Sequence, residues 1–132
     1  MWGDLDSLGI VFYPRYSEWI DASGHLFLES LNLNLGRVWK ERGIVFALVE
    51  TRCQYHLLGR YNDWIEIATC SDSLSDKTMV LRHDIFRSSD RTLMVTGYEK
   101  RICLDASEPA TLKAIDIPED IRAILLDAQS SL

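Results

Sequence analysis

Asp6 is the side chain best placed for chemistry. It lies in the loop Gly3-Asp4-Leu5-Asp6-Ser7-Leu8-Gly9, ahead of the apolar run Ile10-Val11-Phe12 and then Tyr13-Pro14-Arg15-Tyr16. Proline suits the first helical position, where its fixed φ fits the helix and its missing N–H is not needed, so a helix is predicted to open at Pro14. The first N–H groups of a helix have no intrahelical acceptor, and the positive end of the dipole lies behind them. The amides of Tyr13, Arg15 and Tyr16 are therefore candidates to receive a negatively charged oxygen. A carboxylate just before such a helix is a nucleophile or a base beside an oxyanion-binding site. The same spacing also fits an aspartate that turns the chain, and a Tyr13 held extended only because proline follows it.

Other chemistries find less support. Asp4-x-Asp6-x-x-Gly9 imitates the opening of a calcium loop, but its fifth position is Leu8 and its twelfth is Arg15, where bidentate glutamate is needed. No metal is expected. His25, His56 and His83 have no metal-binding spacing and are read as structural. There is no serine nucleophile elbow and no phosphate-binding glycine loop. Cys53, Cys70 and Cys103 are odd in number and scattered. Each lies in an apolar, strand-like run, so buried reduced thiols and a cytoplasmic setting are expected. The net charge of −6 disfavours nucleic acid as a partner. No apolar run approaches the roughly 20 residues a bilayer requires, so no membrane partner is expected.

The elements that must position Asp6 follow from periodicity. At 132 residues the chain is read as a single domain, 1–132. A long helix is predicted over 14–31, with Tyr16, Trp19, Ile20, Ser23, Phe27 and Leu31 on one stripe. Gly24 interrupts it at a cost of up to about 1 kcal/mol relative to alanine, which a close approach of helix to sheet would explain. Gly36 is read as the stop, and 37–42 as a short helical turn. The period then becomes that of strands: 44–58, 64–70, 78–86, 92–104 and a short 112–117. Polar turns are read at 59–63, 71–77, 88–91 and 105–109. Pro118 opens a closing helix to Gln129, with Glu119 and Asp120 in its first turn and Ile121, Ile124 and Leu125 as its apolar stripe. One helix followed by consecutive antiparallel strands is an α+β arrangement.

The stretch Asp6-x-x-Gly9-Ile10-Val11-Phe12-Tyr13-Pro14-x-Tyr16-x-x-Trp19-x-Asp21-Ala22 resembles the N-terminal signature of the hot-dog-fold acyl-CoA thioesterases. It is nearest to their 4-hydroxybenzoyl-CoA thioesterase branch. Glu41-Arg42-Gly43-Ile44-Val45 and Lys113-Ala114-Ile115-Asp116-Ile117-Pro118 agree with that branch in order and spacing. The resemblance implies an antiparallel sheet wrapped around one long helix, with a short C-terminal helix. It also implies one more strand ahead of the Asp6 loop, so the first strand is expected to be shortened or missing.

The implied activity is hydrolysis of an acyl-CoA thioester with an aromatic, 4-hydroxybenzoyl-like acyl group, with coenzyme A as part of the substrate and no separate cofactor. Asp6 is implied as nucleophile or general base, and the Tyr13 backbone amide as the group that polarises the carbonyl. Gly9, Asp21, Lys77, Thr78 and Lys113 are implied substrate contacts, the lysines toward the nucleotide phosphates. Ser75 and Asp76 depart from the branch, which carries basic residues there. A homodimer or homotetramer with sites at subunit interfaces is implied. The alternatives are a short- or medium-chain aliphatic acyl-CoA thioesterase and a non-catalytic acyl-CoA-binding protein. Enoyl-CoA hydration pairs an aspartate with a histidine five positions on, and here that position is Val11.

Overall fold

The computed structural model describes residues 13–57, 64–108 and 110–129. Its elements are α1 (Tyr13–Ser30), α2 (Leu35–Arg42), β1 (Ile44–Tyr55), β2 (Ile65–Leu74), β3 (Thr78–Arg87), β4 (Thr92–Asp105), β5 (Lys113–Ala114) and α3 (Glu119–Asp127). The strands form one antiparallel sheet in the order β1-β4-β3-β2, with β5 paired to the end of β4. Three helices and a five-stranded antiparallel sheet make the α+β hot-dog arrangement that the sequence predicts. Among the described residues, no helix is long and apolar enough to cross a membrane.

α1 begins one residue earlier than expected and ends at Ser30. Its buried stripe is Ile20, Gly24 and Leu28, spaced by four. The predicted stripe named Ile20 but missed Leu28 and included Ser23, which is only partly buried. Two glycines set the distance between helix and sheet. A Cβ on Gly24 would fall 1.8 Å from Glu99 Oε1, and a Cβ on Gly97 of β4 would fall 2.2 Å from Ile20 Cδ1. Neither position has room for a methyl group.

Asn32, not Gly36, turns the chain after α1: it adopts φ 61, and Leu33 N–H donates to the Leu28 carbonyl at 2.8 Å. Gly36 lies inside α2. The α2 helix is capped at its start by Asn34, whose Oδ1 accepts from Arg37 N at 3.0 Å. It closes on Gly43 at φ 64, whose N–H donates to the Trp39 carbonyl. Asparagine at the start and left-handed glycine at the end are the residues those positions favour.

β2 also differs from expectation. The polar stretch Ser71–Leu74 continues the strand across a bulge between Ser71 and Ser73. Ser71 is fully buried where the end of α3 bridges to it through Gln129, so tertiary cover overrides the polar composition. The strand predicted over 112–117 shrinks to β5, Lys113–Ala114. Of the three cysteines, Cys103 is buried, while Cys53 and Cys70 are half-buried; all are free thiols. Burial pushes the Cys103 thiol up to about 11.

The core has two apolar parts. One gathers Leu28, Leu33, Phe46, Met79, Leu81 and Cys103 with Ile121 and Leu125 of α3. The other gathers Ile20, Ile85, Met94 and Val95. Between them, under the middle of α1, lies a seam of polar side chains.

Candidate active site

From Gly97 to Cys103, β4 alternates between buried and half-buried residues, and Gly97, Glu99 and Arg101 lie on the face covered by α1. Glu99 is fully buried and Arg101 nearly so. His83 of β3 is also fully buried and stands opposite Gly97 of β4 and Thr69 of β2. The result is a continuous line of contacts. Thr69 Oγ1 is 2.8 Å from His83 Nδ1, and His83 Nε2 is 3.1 Å from Glu99 Oε1. Arg101 Nη2 donates to Glu99 Oε2 at 3.2 Å and to Asp21 Oδ1 at 2.9 Å. Arg101 Nη1 donates to the Phe46 carbonyl of β1 at 3.1 Å. The line starts on β2, passes beneath α1 at Gly24, and surfaces on the helix at Asp21, whose side chain is 51% exposed.

Asp21 is therefore held from below and open from above. One turn on, His25 Nε2 lies 3.7 Å from Asp21 Oδ1. On the opposite flank of α1, a cleft of about 280 Å³ opens against β2, lined by Ser23, Leu26, Phe27, Ile67 and Thr69.

Lys77, Thr78 and Lys113 come together at one end of the sheet. Lys77 lies in the turn between β2 and β3, and Thr78 is the first residue of β3. The 76–77 turn is tied to its neighbours by Cys103 N–H to the Lys77 carbonyl at 2.7 Å and Ile117 N–H to the Asp76 carbonyl at 2.9 Å. Both lysines face carboxylates. Lys77 Nζ donates to Asp116 Oδ1 at 2.8 Å, which raises the Lys77 pKa and lowers that of Asp116. Lys113 stands opposite Asp105 in the β4–β5 register. Asp105 is held below the ordinary carboxylate range mainly by the Ser107 hydroxyl and amide, with Lys113 adding to the effect. Ser75, at the departure from the family pattern, bonds Thr78 through its hydroxyl.

Tyr13 is the first residue of α1, with Pro14 next. Asp6 and Gly9 lie outside the described residues. Sequence reasoning did not single out Glu99 and Arg101, because two charges at i and i+2 carry no local sign of burial. The signal that could have found them is the inward alternation Val95-x-Gly97-x-x-x-Arg101-x-Cys103 in a strand apolar at both ends.

Comparison with known proteins agrees with this fold. Residues 1–125 match the model of the thioesterase-like superfamily. A curated 4-hydroxybenzoyl-CoA thioesterase from Pseudomonas sp. (strain CBS-3) is 31% identical over 123 residues, covering 89% of this chain and 86% of the relative. An Asp-to-Asn variant of a 4-hydroxybenzoyl-CoA thioesterase, solved in complex with 4-hydroxybenzoyl-CoA, superimposes with a TM-score of 0.84 at 28% identity, covering 95% of this chain and 92% of that one. A gentisyl-coenzyme A thioesterase gives 0.77 at 31% identity, covering 94% and 93%. The chain belongs to the thioesterase-like superfamily. Its enzyme class is thioester hydrolase.

Proposed function

We propose that this hydrolase cleaves an aromatic acyl-CoA of the 4-hydroxybenzoyl kind, with Asp6 as the reacting carboxylate and the Tyr13 amide holding the carbonyl oxygen. The observation that carries the proposal is that α1 starts at Tyr13, seven residues after Asp6. That start makes the Tyr13 N–H one of the helix's unpaired donors, aligned with the positive end of the dipole. Charge that develops on the thioester oxygen is stabilised there more than the ground state is. It also matters that the relative solved with bound 4-hydroxybenzoyl-CoA is an Asp-to-Asn variant.

Two routes use the same groups. In one, Asp6 attacks the carbonyl carbon, the C–S bond breaks, coenzyme A leaves as the thiolate, and water hydrolyses the resulting anhydride. In the other, Asp6 takes a proton from a water that attacks the carbonyl directly. Asp21 presents a carboxylate oxygen to the acyl group and accepts from a hydroxyl donor. Gly9 belongs to the loop that carries Asp6. Lys77, Thr78 and Lys113 serve the nucleotide end of the substrate. Neither route calls for a metal or another cofactor.

Sites completed by a second copy of the chain, in a homodimer or homotetramer, fit a sheet whose β1 and β2 edges have no partner strand among the described residues. Three free thiols fit a reducing, cytoplasmic setting. The whole sequence is taken as one thioesterase domain.

The test is thiol release from 4-hydroxybenzoyl-CoA, benzoyl-CoA and a series of alkyl-CoA thioesters. The wild-type chain should favour the aryl thioesters, and Asp6→Asn should lower kcat by about 10²–10⁴-fold. A profile led by alkyl thioesters would move the substrate to the aliphatic class. Binding without thiol release would leave only a ligand-binding role. Single-turnover reaction in heavy-oxygen water, followed by mass spectrometry of the protein, separates the routes: label appears in Asp6 only if it is the nucleophile.

A further inference from the structure

We infer that Arg101 is a positioning residue for the acyl end of the substrate, acting through Asp21. The inference rests on the reading of Asp21 as substrate-facing. Arg101 is rooted in β4 with only 5% of its surface exposed. Its guanidinium spans three partners on three elements: the Phe46 carbonyl of β1, Glu99 of β4 and Asp21 of α1. Two of the three are buried in the seam, and they fix the plane of the guanidinium. The third is half-exposed and takes its direction from that plane. An Asp21 side chain on a helix surface would otherwise exchange rotamers freely. Here one oxygen is committed to Nη2 at 2.9 Å, which leaves the other oriented outward as an acceptor.

A purely structural tie between helix and sheet would need less. Gly24 and Gly97 already seat α1 against β4 by close packing, and Glu99 already finds His83. Arg101 Nε is buried without a hydrogen-bond partner among the described residues, so the fold leaves one donor of this arginine unsatisfied. Planar two-sided bridging is what arginine does and lysine does not. Among the described residues, the groups facing Asp21 are Arg101 from β4 and His25 from its own helix. Glu99 and His83 face Arg101 from the opposite side, and Thr69 backs His83.

The consequence is a specificity device. A carboxylate held in one orientation rewards an acyl group that carries a hydrogen-bond donor and gives nothing to one that lacks it. The experiment is a double-mutant cycle read with two probes, 4-hydroxybenzoyl-CoA and benzoyl-CoA. Asp21→Asn should lower kcat/KM for the hydroxylated thioester by about tenfold or more, a clearly larger factor than for benzoyl-CoA, which has no hydroxyl to offer it. Arg101→Met should show the same selectivity, and the double variant should lose no more than either single one. Arg101→Lys, which keeps the charge without the fork, should stay defective on the hydroxylated probe while folding normally. It is also the variant to read if Arg101→Met does not fold.

Equal losses on both probes, multiplying with Asp21→Asn, would overturn the inference and leave Arg101 as a structural residue. If Asp21→Asn is selective and neither Arg101 variant is, only the role of Arg101 falls. If Asp21→Asn moves neither probe, the reading of Asp21 falls and takes this inference with it. If no variant or wild-type chain releases thiol from either probe, the proposed substrate class has failed first.

Discussion

The seam under α1 and the rim beyond β5 both pair cations with carboxylates, but their surroundings differ. Arg101, Glu99 and His83 are shut away from water; Lys77 and Asp116 are exposed. Removing a partner from the seam strands a charge that water cannot reach. Removing one from the rim leaves a charge that water solvates at once. Stability should therefore depend on the seam and hardly at all on the rim. If the rim serves the nucleotide end of the substrate, as proposed, its residues can vary with that ligand at little cost to the fold.

The sharpest break of this contrast is Glu99→Ala. It removes the carboxylate shared by Arg101 and His83, leaves the buried guanidinium with the half-exposed Asp21 as its remaining carboxylate among the described residues, and should cost about 3–5 kcal/mol, the usual penalty for breaking a buried pair. Urea unfolding would read it as a lower midpoint at an unchanged m-value. A loss too small to measure would mean that water enters the seam and that the two regions are alike.

Gly24→Ala comes next. Its new methyl meets Glu99 Oε1 at 1.8 Å, and overpacking of this kind costs about 1–3 kcal/mol. The cost should vanish in the Glu99→Ala background. There the methyl has room, and alanine's helix propensity can return up to about 1 kcal/mol. Such a reversal of sign between backgrounds would tie the glycine to the carboxylate beneath it. The same destabilisation in both backgrounds would assign Gly24 to a general packing limit instead.

The sequence made the outline of the fold readable because the outline depends on local signals. Pro14 marked the start of α1 to within one residue, and the β-branched runs marked four strands. Gly24 announced a close approach, since nothing else justifies glycine in mid-helix. What stayed hidden depends on tertiary cover. Ser71–Leu74 reads as a turn until Gln129, just past α3, is seen to bridge to Ser71. Gly36 reads as a stop until Asn34 is seen to start a helix ahead of it.

Glu99 and Arg101 passed unremarked because no local feature says that α1 will lie across them. The candidate site divides the same way. Asp6 and Tyr13 were proposed from the run of residues around Pro14, whereas the support for Asp21 comes from a strand 80 positions away.

The smallest effect should come from the rim. Asp116→Asn removes the partner of Lys77 and should leave the unfolding midpoint where it was. Lys77 holds the Asp116 carboxyl below its ordinary value of 3.8. The pair's contribution to stability is therefore fully present above that value and is lost only as the pH falls below it. At neutral pH, substitution opens the pair, and added salt weakens it. If Lys77 serves the nucleotide phosphates, Asp116 competes with them for it. Freeing the lysine should lower KM for an acyl-CoA by about two- to fivefold at low ionic strength, with the gain fading as salt screens the charge. The matching acyl-pantetheine thioester, which has no nucleotide, should show no change. An equal change for both thioesters would place Lys77 away from the phosphates, and a fallen midpoint would mean that the rim, like the seam, holds the fold.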